Sequence, residues 1–208
     1  MFSFSFKFTL LRILDIFANY WMAIARDPDI LTDFIVPSNL TGSKITGDFF
    51  TYHLNTTGNG GPDARETDVT MDEFPALNGQ GVSLAVYTFP PRSAYPTHIH
   101  PRASELFLVT KGKVEVGLVD TANKLYTKPL QAGDVFLFPK GLVHYQYNAL
   151  AGASASAVSF FGSASPGEVS LPTTLFATGI DDAILAKIFK TDVPTIQKLK
   201  SGLATPRF

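Results

Sequence analysis

Between Gly81 and Phe161 the chain is cut into short β-rich runs, each closed by a turn signal, with no helical periodicity between them. The runs are Val82 to Phe89, Leu106 to Thr110, Lys113 to Val119, Lys124 to Lys128, Val135 to Phe138, Val143 to Tyr147 and Ala155 to Phe161. Lys111-Gly112, Thr121-Ala122-Asn123 and Pro139-Lys140-Gly141 punctuate them. Val114, Val116 and Leu118 alternate with their neighbours, the period of a strand buried on one face. Closely spaced strands without crossover helices predict an all-β sandwich or barrel spanning about residues 80–165. The pattern changes after Pro172. Ile184, Leu185 and Ile188 fall at helical spacing within 181–189, with Asp181 or Asp182 as N-cap. A second helix is expected over 192–200, with Pro194 in its first turn. A chain of 208 residues fits one domain with a sizeable core.

Three of the four histidines gather within this β region. His98 and His100 are two apart, so a strand would aim both to one face. Pro101 breaks that ladder and lets a neighbouring strand offer Glu105. Gly133-Asp134 and Pro139-Lys140-Gly141 bracket the apolar run Val135 to Phe138, which places His144 near the start of the next strand, able to face a barrel interior. Three imidazoles and one carboxylate form a complete protein ligand set for a redox-active divalent metal. Phe107, Phe136, Phe138 and Tyr145 are the aromatic side chains expected to shelter it. His53 lies upstream, outside this constellation, and reads as structural or exposed.

His98-x-His100-x4-Glu105-x6-Gly112 resembles the first motif of the cupins, and Gly133-x5-Pro139-x-Gly141-x2-His144-x3-Asn148 resembles the second. Asp27-Pro28-Asp29, Gly47-Asp48-Phe49, Phe74-Pro75-Ala76-Leu77-Asn78, Phe138-Pro139-Lys140-Gly141 and Lys190-Thr191-Asp192-Val193-Pro194 resemble the germin-like branch of plant cupins, from about residue 26 to the C-terminus. The resemblance implies a jelly-roll β-barrel over a single domain, residues 26–208. It also implies a metal held by His98, His100, Glu105 and His144, and C-terminal helices (about 181–201) that clasp a neighbouring subunit in a trimer of dimers. Typical germins carry two cysteines that tie down the N-terminal segment. This chain has none, and Ile35 stands where the first would be, so its N-terminal arm must be held by packing alone.

Net charge is −1, which gives no general attraction to nucleic acid or to an anionic membrane. Residues 1–25 are rich in Phe, Leu and Ile and end Ala23-Ile24-Ala25, a pattern read as a secretory signal peptide although Arg12 and Asp15 interrupt its apolar region. The same two charges count against a membrane anchor. Sequons at Asn39 and Asn55 agree with a secreted glycoprotein of the extracellular space, apoplast or cell wall.

A hard carboxylate without thiolates suits Mn2+, with Fe as an alternative. Zn in a closed structural site is the competing assignment. The resemblance implies two activities. One is superoxide dismutation at the metal, with Asn148 as a supporting residue behind the ligands. The other is oxalate oxidation, for which germin oxalate oxidases place asparagines beside the metal. Here those positions align with Ala85 and Tyr95, and Ala85 can donate nothing, so oxalate is disfavoured. A third possibility is not enzymatic: a wall, storage (nutrient reservoir) or receptor glycoprotein whose metal stabilises the fold.

Overall fold

The computed structural model describes Asp27 and residues 30–40, 45–54 and 61–203. The expected signal peptide (1–25) and the sequon at Asn55 lie outside the described residues, whereas Asn39 is exposed. Strands β1 (Arg65–Val69), β2 (Ser83–Phe89), β9 (Ala155–Phe161), β4 (Glu105–Lys111) and β7 (Val135–Phe138) pair in that order in one antiparallel sheet. Strands β10 (Val169–Ser170), β3 (Ala94–Ile99), β8 (Val143–Tyr147), β5 (Lys113–Val119) and β6 (Leu125–Gln131) form the other. The two sheets close face to face as a jelly-roll barrel.

Period-2 patterning decides which side chains fill it. Ala85, Tyr87 and Phe89 on β2 and Ala155, Ala157 and Phe161 on β9 are buried, with their alternate neighbours turned outward. They meet Phe107, Val109, Val114, Val116, Leu130 and Phe138 in one cluster. Each large apolar side chain buried this way contributes about 1.5–3 kcal/mol. Gly112 joins β4 to β5 at φ +76°, where a Cβ would stand 2.9 Å from the Ser154 carbonyl oxygen, so both conformation and space call for glycine.

Phe107 and Phe138 point inward as expected, and Phe136 packs at the edge of the core. Tyr145 does not. It follows His144 on β8 and faces out, lying over Gly117 on β5, where an added Cβ would come within 2.1 Å of its ring. Three short elements carried no usable sequence signal: β1, β10 and helix α1 (Leu171–Phe176). β6 continues through Pro129, which an edge strand tolerates because its missing N–H faces no partner.

The arm without cysteines is held by contacts. Ile30 and Ile35 close over Gly79, and Gln80 Nε2 donates to the Asp33 carbonyl at 3.2 Å. Phe34, Phe49 and Phe50 pack ring on ring, with centroids 5.0 to 6.1 Å apart. The Asp27 carboxylate accepts from Ser163 Oγ and the Ala164 N–H, both at 2.5 Å.

The C-terminal helices are α2 (Asp182–Ile188) and α3 (Val193–Leu203). Asp181 is the N-cap of α2, accepting from the N–H groups of Ala183 and Ile184. Leu185 and Ile196 are buried between the helices, but Ile184 and Ile188 remain 55% and 64% exposed. Among the described residues no helix is long and apolar enough to cross a membrane.

Candidate metal centre

His98 and His144 sit directly opposite each other on β3 and β8, so strand pairing alone brings their rings to 4.1 Å between centroids. β3 carries an irregularity between Tyr95 and His98, around Pro96, which resets its register before the first histidine. His100 follows the end of β3. Glu105 opens the next strand in sequence, β4, but that strand belongs to the opposite sheet. The carboxylate therefore reaches the histidines across the barrel rather than along one sheet. Phe138 and Phe161 are its cross-strand partners on either side, which accounts for its dry surroundings.

All four side chains are buried, and one ligand atom from each lies within 4.8 Å of the others. Each histidine directs Nδ1 at a backbone carbonyl: His98 at Pro96 (2.8 Å), His100 at Gly167 (2.7 Å) and His144 at Leu142 (2.8 Å). A carbonyl oxygen only accepts, so the ring proton resides on Nδ1 and Nε2 offers a lone pair. His98 Nε2 and His100 Nε2 then face each other at 3.2 Å with no proton between them in the neutral rings. Glu105 Oε2 stands 3.2 Å from His100 Nε2 and 3.1 Å from His144 Nε2. Converging lone pairs beside a carboxylate suit a cation, and carbonyl-anchored imidazoles are the usual support of metal ligands.

The electrostatics agree. Burial, with the two neighbouring imidazoles, pushes His98 down to about 3, which keeps it neutral and able to ligate. Burial alone would raise Glu105, but its contacts with His100 and His144 pull it down to about 2. His100 is shifted upward because its contacts with Glu105 outweigh burial. Ser159 Oγ donates to Glu105 Oε1 at 2.5 Å and fixes the carboxylate from behind. Phe138 stacks on His144 at 4.2 Å and Phe161 packs on His100 at 4.7 Å.

Asn148 lies elsewhere. Its amide nitrogen faces the carbonyls of Phe89, Pro90 and Ala153, and its oxygen accepts from the Leu150 N–H, so it ties a strand end to two loops. His53 is exposed. Two residues escaped the sequence reading. Ser159 holds Glu105, and Gln146 is fully buried with neither amide atom hydrogen-bonded to protein. Gln146 is two residues beyond His144 on the same strand, so period-2 counting already places it on the inner face.

The cupin family model matches residues 55–197. Germin-like protein 9-3 of Oryza sativa subsp. japonica is 52% identical over 198 residues, covering 89% of this chain and 90% of that protein. The chain is a germin-like cupin. Germin-like protein subfamily 2 member 4 of Arabidopsis thaliana is 36% identical over 222 residues, spanning 97% of this germin-like chain and 96% of the relative. Among solved structures, an oxalate oxidase in complex with the substrate analogue glycolate superposes with a TM-score of 0.79 at 34% identity, covering 86% of this chain and 99% of that one.

Proposed function

We propose that this germin-like protein is a secreted manganese protein that dismutates superoxide. The observation that carries the reading is the set of three carbonyl-anchored imidazoles and one ionised carboxylate converging in a dry barrel. Four such ligands leave open positions on an octahedral ion, and hard oxygen with imidazole suits manganese or iron. Manganese alternating between +2 and +3 would supply the one-electron chemistry by which two superoxides and two protons become dioxygen and hydrogen peroxide. The chain's own part is to aim Nε2 of His98, His100 and His144 at one point, to hold His98 neutral by burial, to keep Glu105 ionised, and to exclude bulk water with Phe107, Phe138 and Phe161.

The likeness to an oxalate oxidase raises oxalate as a second substrate. Ala85 argues against it: fully buried on β2 opposite Ser159, it brings no donor to the interior where a dianion would need one. Secretion from residues 1–25, glycosylation at Asn39 and Asn55, and a homo-oligomer of the trimer-of-dimers kind belong to the same proposal. The apolar residues Ile184, Ile188 and Leu199, exposed on the helices, and Phe189, exposed just after α2, support self-association.

The test is metal content by mass spectrometry on protein secreted from a plant host, with superoxide and oxalate assays on the same sample. About one manganese per chain is expected, with superoxide turnover abolished in His98→Ala. Full manganese occupancy without turnover would leave a structural or storage glycoprotein.

A further inference from the structure

A second polar cluster closes the side of the barrel where the edges of the two sheets meet. Glu66 comes from β1, the edge of one sheet, and Glu168 immediately precedes β10, the edge of the other. Tyr95 on β3 bridges them: its Oη contacts Glu66 Oε2 and lies 2.8 Å from Glu168 Oε2. Tyr87 on β2 donates its hydroxyl to the remaining oxygen, Glu66 Oε1. Glu168 is exposed and Tyr87 is fully buried, so the chain of contacts runs from solvent to the core.

Counting protons shows what this arrangement requires. An ionised carboxylate only accepts hydrogen bonds, and a tyrosine hydroxyl carries one proton. Tyr95 touches two carboxyl groups and can donate to one of them. The other contact is a hydrogen bond only if that carboxyl is itself protonated and donates to the tyrosine oxygen. Tyr87 cannot supply the missing proton, because it already donates to Glu66.

The chain touches the metal ligands through the ring of Tyr95. The Tyr95 ring packs edge-on against Tyr87 at 5.2 Å and against His98 at 5.1 Å. Its cross-strand partner on β8 is Gln146, whose buried amide has no protein partner. An unpartnered amide beside Tyr95 and His98 marks a polar space inside an otherwise aromatic core. We propose that Glu66 and Glu168 share one proton through Tyr95, and that with Tyr87 they relay protons from the surface to the space beside the metal ligands.

This rests on the superoxide reading above, in which each peroxide formed takes up two protons. A proton that leaves Glu66 for the forming peroxide is replaced through Tyr95, whose hydroxyl donates to Glu66 as it takes up a proton arriving from solvent on the exposed Glu168 side. No bond other than O–H changes. The groups facing Glu66 are Tyr87, Tyr95, Glu168, Asp68 on its own strand and the more distant His100. Burial and the charge of Glu168 push Glu66 up to about 7, against the opposing pull of the two tyrosines and His100. Asp68, raised by burial and by Glu66 and Glu73, also reaches about 7. The store therefore fills and empties near neutral pH.

The test has two arms on the full-length protein. Infrared difference spectra across a pH titration of the metal-free form should show a carbonyl stretch of a protonated carboxylic acid. That band should fade as pH passes about 7 and be clearly smaller in Glu66→Gln, where only the Asp68 share remains. Its absence from the parent protein, or its persistence unchanged in Glu66→Gln, overturns the shared proton. In the second arm Tyr95→Phe, loaded to the same manganese content, should lose at least about tenfold in superoxide kcat, the lower edge of what positioned proton donors contribute. Small buffer acids should restore part of that loss. Parent-level kcat in Tyr95→Phe overturns the relay while leaving the dismutase reading intact. A manganese-loaded parent with no turnover overturns the dismutase reading and the relay with it, and the infrared band still decides the shared proton.

Discussion

His98 and His144 are paired residues on adjacent strands, and each gives its Nδ1 proton to the backbone carbonyl two residues before it. The backbone thus fixes both tautomers before any ion arrives, and leaves lone pairs crowded at the centre of the site. Removing the metal should uncover that repulsion. A chelated sample should melt at a lower temperature than a manganese-loaded one, and the gap should grow with free metal, reaching about 2.7 kcal/mol at a hundred times the dissociation constant. In His98→Ala the manganese-dependent shift should vanish. Calorimetry with and without manganese measures both, and an equal melting temperature in the two states would contradict the site.

Ser159→Ala should weaken metal binding without unfolding the barrel. The serine hydroxyl donates to an ionised, fully buried carboxylate, a bond worth about 1.5–3 kcal/mol. Its loss frees Glu105 to rotate away from His100 and His144. Groups that orient metal ligands from behind typically cost about 10–100-fold in affinity when removed. Competition with a chelator of known affinity would show the drop, while far-ultraviolet circular dichroism stays that of the parent.

Much of this was legible in the sequence because strands write themselves with a period of two. His98, Glu105 and His144 fall on inward positions, and the Gly and Pro marks bound the strand of His144 correctly, although Glu105 falls one residue outside the run read from Leu106 to Thr110. What was hidden depends on the third dimension. That Glu105 lies in the opposite sheet follows from the path of the chain after Pro101, which no local pattern encodes. Tyr145 was misplaced because an aromatic residue next to a ligand looks like shelter, yet parity turns it out onto Gly117. Asn148 has the spacing of a supporting residue but spends its amide on loop carbonyls. β1 and β10, short and polar, carry no hydrophobic rhythm at all, and with them Glu66 and the neighbouring Glu168 stayed out of view.

Gln146→Leu separates stability from chemistry. The parent amide is buried with no protein partner, which costs roughly 1–3 kcal/mol when nothing else satisfies it. A leucine of similar volume removes that cost, so the melting temperature should stay level or rise and manganese should be retained. Superoxide turnover should nevertheless fall, because the polar space beside His98 is gone. Thermal melts and kinetics on one preparation would test this, and a destabilised variant with parent-level turnover would contradict it.

The pH dependence of stability should carry the signature of Glu66. Its carboxyl ordinarily titrates near 4.5 and in the fold is pushed up to about 7. Between those values the native state holds a proton that the unfolded chain has released. The native state therefore binds more protons across that window, and stability falls as pH rises through it, with a slope of at most about 1.4 kcal/mol per pH unit for one group. Below 4.5 both states are protonated, and above about 7 both are ionised, so the slope vanishes outside the window. Glu105 works in the opposite direction and at lower pH: held down at about 2, its stabilisation is complete above 4.5 and is lost as pH falls toward 2. Glu66→Gln keeps the hydrogen-bonding shape without the titration. Denaturant melts of the metal-free protein at half-unit pH steps should show the slope between 4.5 and 7 markedly reduced in the variant. The residual slope there should come from Asp68, and the acid limb set by Glu105 should be unchanged.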